Sequence, residues 1–370
     1  MILKELALKN FRVFSEVTID FIDGINILTG MNGQGKSSIL EAIYYLALTR
    51  SFRTNSDYNA IQYETKSFDI TGNFFTNPDK SKQVRLYYSQ AEGKNVFVGE
   101  KRLTSFSEHV GTIPCIVLTL ADTKLIYGNP AERRRFMDVL LSQTSPVYLQ
   151  DLKNFRRVLQ QRNSLLQSGN IKMIKDQIPS WNKQLVESGS AIIARRLLFL
   201  SFLNENLSSC YLNLAGKNTI IDSVYLSSIG VLPVNSTEDD LRLIFQRALK
   251  HLADKELEKG TTICGPHRDD VDFNYNKKSF RDYCSQGEIK TLVIALKLLE
   301  WEYVKNYRQV DPILLLDDIF GEIDQDRMNK LLMIIRHVGQ AFITTTLMDK
   351  FALTKKDSIF NVKDSKIYHA

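Results

Sequence analysis

Gly30-Met31-Asn32-Gly33-Gln34-Gly35-Lys36-Ser37 fits the P-loop pattern G-x-x-x-x-G-K-[ST] at every fixed position. Its glycines free consecutive backbone N–H groups to turn inward onto phosphate oxygens. The helix that follows adds the partial positive charge of its N-terminus. The flanking sequence agrees with that reading. Ile25 to Thr29 reads as a short buried strand, and Ile39, Leu40, Ile43 and Ala47 recur at helical spacing up to about Leu48. Gly30, Met31, Asn32, Gly33, Gln34, Gly35, Lys36, Ser37 and Ser38 are therefore the expected nucleotide-binding loop. Within it Lys36 is expected to reach the β- and γ-phosphates as a catalytic cation, with the Ser37 hydroxyl as a ligand for Mg²⁺.

A second half-site lies near the other end of the chain. Ile313-Leu314-Leu315-Leu316-Asp317-Asp318 is an apolar run finishing in two carboxylates, the pattern of a buried parallel strand with ligands beyond its C-terminal end. Asp317 is expected to hold the hydration shell of the Mg²⁺, and Asp318, the next residue, to orient or deprotonate the attacking water. Upstream, Ser285-Gln286-Gly287-Glu288 opens a long apolar helix; the same residues also make an ordinary capping box. The order of P-loop, S-x-G-[QE] helix and hhhhDD strand resembles that of ABC-type ATPases. In those folds the signature of one subunit closes over the nucleotide of another. Ser285, Gln286 and Gly287 are therefore expected to bind ATP presented by a partner copy in a homodimer, with Glu322-Ile323-Asp324 near that interface.

ABC-type sites usually carry Glu where this chain has Asp318, one methylene shorter, which predicts slow hydrolysis. Their switch histidine is missing as well. The strand Phe342-Ile343 runs into Thr344-Thr345-Thr346 instead, so a threonine hydroxyl is the expected replacement. These departures speak against a transport subunit.

A chain of 370 residues can bury a sizeable core and form two domains. A net charge of +6 favours an anionic partner such as nucleic acid. Cys115, Cys210, Cys264 and Cys284 are widely spaced, which suits reduced thiols. No run approaches the roughly 20 apolar residues of a membrane span. Together these predict a cytoplasmic protein without a membrane partner.

Strand-like alternation marks Ile2 to Lys9, Val17 to Phe21, Phe68 to Phe75, Val84 to Tyr88 and Pro114 to Leu120, with a turn at Asn77-Pro78-Asp79. From about Ala131 the period becomes helical: Leu152, Phe155, Leu159 and Leu166 form one stripe, Ile192, Ile193, Leu197, Leu198 and Phe202 another. Asp239 to Glu258 reads as a third helix. Strands are expected again at Thr262 to Cys264 and Val271 to Tyr275, then a helix near Gln325 to Val338 and a strand at Ala341 to Thr345. The predicted architecture is α/β: a discontinuous ABC-type P-loop core over 1–125 and 260–370, carrying a helical lid or arm over 126–259.

The resemblance sharpens when further strings are added. Asn10-Phe11-Arg12-Val13-Phe14, Leu48-Thr49-Arg50-Ser51-Phe52-Arg53, Arg133 to Asp138, Gln161 to Leu166 and above all Gly265-Pro266-His267-Arg268-Asp269-Asp270 are similar to the bacterial RecF recombination mediators. Ser285 to Gly287 and Leu314 to Asp318 complete the set, which runs essentially end to end. Leu120-Ala121-Asp122 departs from the family's Pro-Glu-Asp. The resemblance implies an SMC-like ATPase head with no long coiled coil. Its homodimer would close with ATP and Mg²⁺ on DNA at gaps and single-strand/double-strand junctions. With RecR and RecO it would help load RecA in replication, DNA-damage repair and the SOS response. Slow hydrolysis would reset it; a clamp that binds ATP without hydrolysing it is the alternative.

Candidate phosphate contacts on DNA are the basic clusters Arg50 and Arg53, Arg133 to Arg135, Lys153 with Arg156 and Arg157, and Arg195 with Arg196. Each is also compatible with a solvated helix face carrying local ion pairs. His267, in a Gly-Pro turn, is expected to bond within its loop rather than hold a metal. The resemblance suggests that its string shapes the nucleotide site or the dimer face.

Overall fold

The computed structural model describes residues 1–370 except 78–79, 349–350, 352–353, 355–356 and 370; at 76, 77 and 80 it describes the backbone alone. The expected turn at Pro78-Asp79 lies outside the described residues. The chain divides into two compact units, one of Met1–Asp122, Cys210–Lys217 and Gln286–Ala370, the other of Thr123–Ser209 and Asn218–Ser285.

The first unit opens with β1 (Ile2–Phe11) and β2 (Phe14–Asp20), an antiparallel hairpin. Next come β3 (Ile25–Thr29), the P-loop and helix α1 (Lys36–Leu48). The strands β4 (Ser67–Asn77), β5 (Lys80–Ser89), β6 (Gly93–Val98) and β7 (Lys101–Arg102) extend the hairpin into a six-stranded sheet of order β2-β1-β4-β5-β6-β7. The strand β8 (Cys115–Thr119) then enters a second sheet.

The second unit starts with α2 (Lys124–Tyr127), α3 (Pro130–Thr144), α4 (Pro146–Gln167) and the 45-residue α5 (Ile171–Ala215), whose last turns belong to the first unit. Asn129 caps α3 through its side chain and Ser145 caps α4, each just ahead of a proline at the first helical position. After β9 (Ile221–Leu226), α6 (Glu238–His251) starts from a full capping box between Thr237 and Asp240, and α7 (Ala253–Lys259) ends at Gly260 in the left-handed conformation. Then come β10 (Asp270–Tyr275), β11 (Lys278–Ser279) and α8 (Phe280–Tyr283).

The inserted unit is thus not purely helical: β11-β10-β9 form a three-stranded antiparallel sheet. That pairing draws residues 260–285 into the second unit, where the sequence pattern placed them in the core. The expected strand at Thr262 to Cys264 does not form. Its backbone is held by side chains instead, Thr262 N–H donating to Asn163 Oδ1 and Ile263 N–H to Glu256 Oε1. Asn204 and Ser208 on α5 bond both faces of the Ser223 and Ile221 peptides, which closes the free edge of β9.

The chain returns to the first unit with α9 (Gln286–Arg308), β12 (Ile313–Asp317), α10 (Gln325–Ile335), β13 (Ala341–Thr345) and a C-terminal hairpin of β14 (Ser358–Lys363) and β15 (Lys366–His369). The second sheet has order β15-β14-β3-β13-β12-β8, parallel throughout except for β15. Helix α1 contacts β1, β4 and β5 of one sheet and β8, β12 and β13 of the other. It is therefore buried on nearly every side, its charged Lys36 and Glu41 included. This is the expected α/β P-loop core. Among the described residues, no helix is long and apolar enough to cross a membrane.

Candidate nucleotide site

The site stands at the C-terminal ends of β3, β13 and β12, where parallel strands place their ligands. In the P-loop, Gly30, Gly33 and Gly35 adopt φ of 141°, 83° and 106°, the left-handed side of conformational space. At two of them space is also refused. A Cβ on Gly30 would stand 2.2 Å from the Val362 carbonyl oxygen, and one on Gly35 2.6 Å from Val13 Cγ2. The loop is thereby pressed between the C-terminal hairpin and the β1–β2 turn. Gln34 Oε1 accepts the Asp364 N–H at 2.6 Å, a second tie to the hairpin. The Lys36 ammonium donates to the carbonyls of Gly30 (2.6 Å) and Met31 (2.8 Å), so it already lies across the loop.

A cavity of about 390 Å³ opens here, a size suited to a small-molecule ligand. Its wall contains Asn32, Gly33, Gly35, Lys36, Ser37, Ser38, Asp318 and Thr344, all expected except for their meeting with Arg12, Val13, Arg53, Asn59 and Ile61. Register explains how Asp318 arrives: β12 pairs with β13 so that Asp317 faces Thr344. The Thr344 hydroxyl donates to Asp317 Oδ1 at 2.8 Å and accepts the Asp318 N–H at 2.9 Å. One buried threonine thus holds both carboxylate residues. It stands near the C-terminal end of β13, the strand after which the sequence lacked a histidine.

Asp318 itself has φ of 52°, outside the strand geometry, which turns it from the sheet toward the cavity. Burial raises its pKa; Lys36 opposes and Asp317 and Glu322 reinforce the rise. Burial lowers the pKa of Lys36, against the pull of Asp318 and Asp317. The residues present fit a nucleoside triphosphate with a divalent cation: a glycine cradle that admits no side chain, a lysine parked on backbone carbonyls, a serine hydroxyl and a tethered carboxylate pair.

Gln286 and Gly287 are not among the described residues of this wall. Ser285 and Gln286 are exposed at the start of α9, and Arg327 Nη1 donates to the Gly287 carbonyl at 3.4 Å. Further along α9, buried Lys297 lies 3.4 Å from Asp122 and 3.0 Å from Glu300. Asp122 in turn accepts the Thr119 N–H at 2.6 Å. The acid in the divergent Leu120-Ala121-Asp122 string therefore ties the end of β8 to α9.

The Gly265–Asp270 string belongs to the second unit. Asp269 is buried and accepts from Tyr225, Ser228 N–H and Ser228 hydroxyl. Asp270 takes a bidentate bond from Arg133 at 2.7 and 2.8 Å, and Arg134 donates to the Asp269 carbonyl. His267 bonds the Thr262 carbonyl within its loop, and burial lowers its pKa to about 4. Arg196 is fully buried between Asp138 and the Pro266 carbonyl. Arg133 and Arg196 therefore leave the list of DNA candidates, because each completes a buried ion pair. Arg195 pairs with Asp151 and Arg156 with Asp138, while Arg50, Arg135, Lys153 and Arg157 are exposed.

The chain is similar to known proteins over its whole length. An AAA domain family matches residues 5–209. Identity is 37% over 362 residues to a DNA replication and repair protein RecF of Chloroherpeton thalassium, covering 97% of this chain and 98% of that one. It is 36% over 369 residues to the RecF of Streptococcus gordonii, covering 99% and 100%. A solved structure of the recombination mediator protein RecF-ATP in the RecFOR pathway superposes with a TM-score of 0.91 at 29% identity, covering 100% of this chain and 97% of that one. An SMC head bound to the C-winged helix domain of ScpA shares the fold, with a TM-score of 0.57 at 16% identity, covering 100% of this chain and 98% of that one.

Proposed function

The chain belongs to the RecF family of DNA replication and repair proteins, and from that membership we propose that it is a cytoplasmic, ATP-controlled DNA-binding protein of recombinational repair. The observation that carries the reading is the cavity in which the P-loop, Asp318 and the Thr344-tethered end of β12 converge. Gly30 to Ser38 hold the triphosphate through backbone N–H groups, and Lys36 exchanges its loop carbonyls for phosphate oxygens. Ser37 and Asp317 would hold Mg²⁺, which when bound neutralises charge developing on the phosphate oxygens. Asp318, its pKa raised by burial, takes the proton of the attacking water.

Ser285, Gln286 and Gly287 serve the nucleotide of a second copy. The exposure of Ser285 and Gln286, and the absence of Gln286 and Gly287 from the cavity wall of their own chain, support an ATP-dependent homodimer. Arg50, Arg135, Lys153 and Arg157 remain as phosphate contacts for gapped or junction DNA. The assembled complex then engages RecR, with RecO and RecA downstream. The short Asp318 side chain favours slow turnover and supports a second reading, a clamp that binds ATP with negligible hydrolysis.

The test is binding to gapped duplex DNA with and without Mg-ATP at fixed salt. The proposal expects tighter binding with ATP that weakens as salt is raised. Binding indifferent to ATP, or no binding, would overturn it.

A further inference from the structure

Behind the cavity wall stands a carboxylate that the steps above leave unused. Glu41 follows Lys36 by five residues on α1 and has no exposed surface. Arg12 grips it with a fork: Nε donates to Oε2 at 2.9 Å and Nη2 to Oε1 at 2.6 Å. The Ser51 hydroxyl donates to the same carboxylate and accepts the N–H groups of Arg53 (2.8 Å) and Thr54 (3.0 Å). Arg53 Nη1 lies 3.6 Å from Glu41 Oε2. Both arginines line the cavity, with side chains 20% and 44% exposed. A fully buried acid therefore anchors two cations whose outer surfaces face the cavity.

Arg12 is held more firmly than a surface ion pair requires. Its φ is 56°, a left-handed conformation uncommon for a non-glycine residue, in the turn between β1 and β2. Its N–H donates to the Ala60 carbonyl at 2.9 Å, and Nη1 donates to the Asn59 carbonyl. A guanidinium carries five N–H donors. Here Nε and one donor on each terminal nitrogen are engaged, which leaves one N–H on Nη1 and one on Nη2.

We propose that Glu41 is a positioning residue of the nucleotide site: through its fork to Arg12 it fixes guanidinium N–H groups where a bound nucleotide anion meets them. The inference rests on the nucleotide reading of the cavity. It differs from a packing role in a measurable way, because the effect of Glu41 on affinity passes through Arg12.

The experiment is a double-mutant cycle in the full chain, titrating a fluorescent ATP analogue into wild type, Glu41→Gln, Arg12→Ala and the double variant. Melting without nucleotide serves as the fold control. Each single variant is expected to weaken binding about ten-fold, and the double to bind within about two-fold of Arg12→Ala alone. Arg12→Lys keeps the charge without the fork and is expected to weaken binding likewise, which preserves the test if Glu41→Gln fails to fold. Wild-type affinity in Glu41→Gln or Arg12→Lys, or losses that multiply in the double variant, would overturn the proposal. A wild-type protein that binds no analogue would overturn the nucleotide reading itself, and the proposal with it.

Discussion

Thr344→Val tests whether one hydroxyl organises the acidic end of the site. Valine preserves the volume of a fully buried side chain in β13 and removes only its polar function. Two bonds are lost, the donation to Asp317 Oδ1 at 2.8 Å and the acceptance of the Asp318 N–H at 2.9 Å. A hydrogen bond to a carboxylate contributes about 1.5–3 kcal/mol, and an orphaned N–H costs about 1–3 kcal/mol. Water reaches the half-buried Asp317 and Asp318 and recovers part of this, so the expected destabilisation is about 2–3 kcal/mol. Thr344→Ser keeps the hydroxyl and removes one methyl, for about 1 kcal/mol. Denaturant unfolding followed by circular dichroism, without nucleotide, gives both differences. ATP turnover at saturating Mg-ATP gives the second readout. If Asp318 handles the water, loosening it costs at least about 1.4 kcal/mol of barrier, or ten-fold in rate, in Thr344→Val and little in Thr344→Ser. A valine variant as stable and as fast as the serine variant would refute the tether.

Asp318→Asn is expected to slow turnover by about two to four orders of magnitude and to accumulate an ATP-bound dimer, read by single-turnover kinetics and light scattering. Ser285→Arg is expected to leave nucleotide affinity of the monomer nearly unchanged while abolishing ATP-dependent dimerisation; lost monomer affinity would refute the assignment to a partner's site. Acid should destabilise the fold through His109 and His267, both held by burial to about pH 4 against an ordinary 6.5. The unfolded chain binds the extra protons, so stability falls as pH drops from about 6.5 toward 4. His109→Gln should flatten that dependence in equilibrium unfolding, and an unchanged slope would exclude His109 as its source.

The P-loop, α1, the Asp317 strand and the helix opened by Ser285 to Gly287 were legible because each rests on local pattern: glycines where backbone must approach phosphate, apolar period matching the element, carboxylates at a strand end. The sheet inside the inserted unit was not. Its strand β9 buries only two of its six residues and finds β10 across some fifty intervening positions, a separation that no local period encodes. The same distance hid the fates of the arginines. Arg133 and Arg196 look like Arg135 and Arg157 in a sequence; only the fold brings Asp270 and Asp138 against the first two and leaves the others in water.

By itself the sequence determined the α/β P-loop class, the phosphate loop with Lys36 and Ser37, the paired acids Asp317 and Asp318, and the family. Tertiary structure alone decided that Thr344 holds both acids, that the C-terminal hairpin presses on Gly30, and that Glu41 grips Arg12 beside the cavity. A loop that must approach phosphate is written in residue types at fixed spacing. A buried charge is stable only against a partner, and which partner reaches it depends on chain closure over distances that spacing does not record.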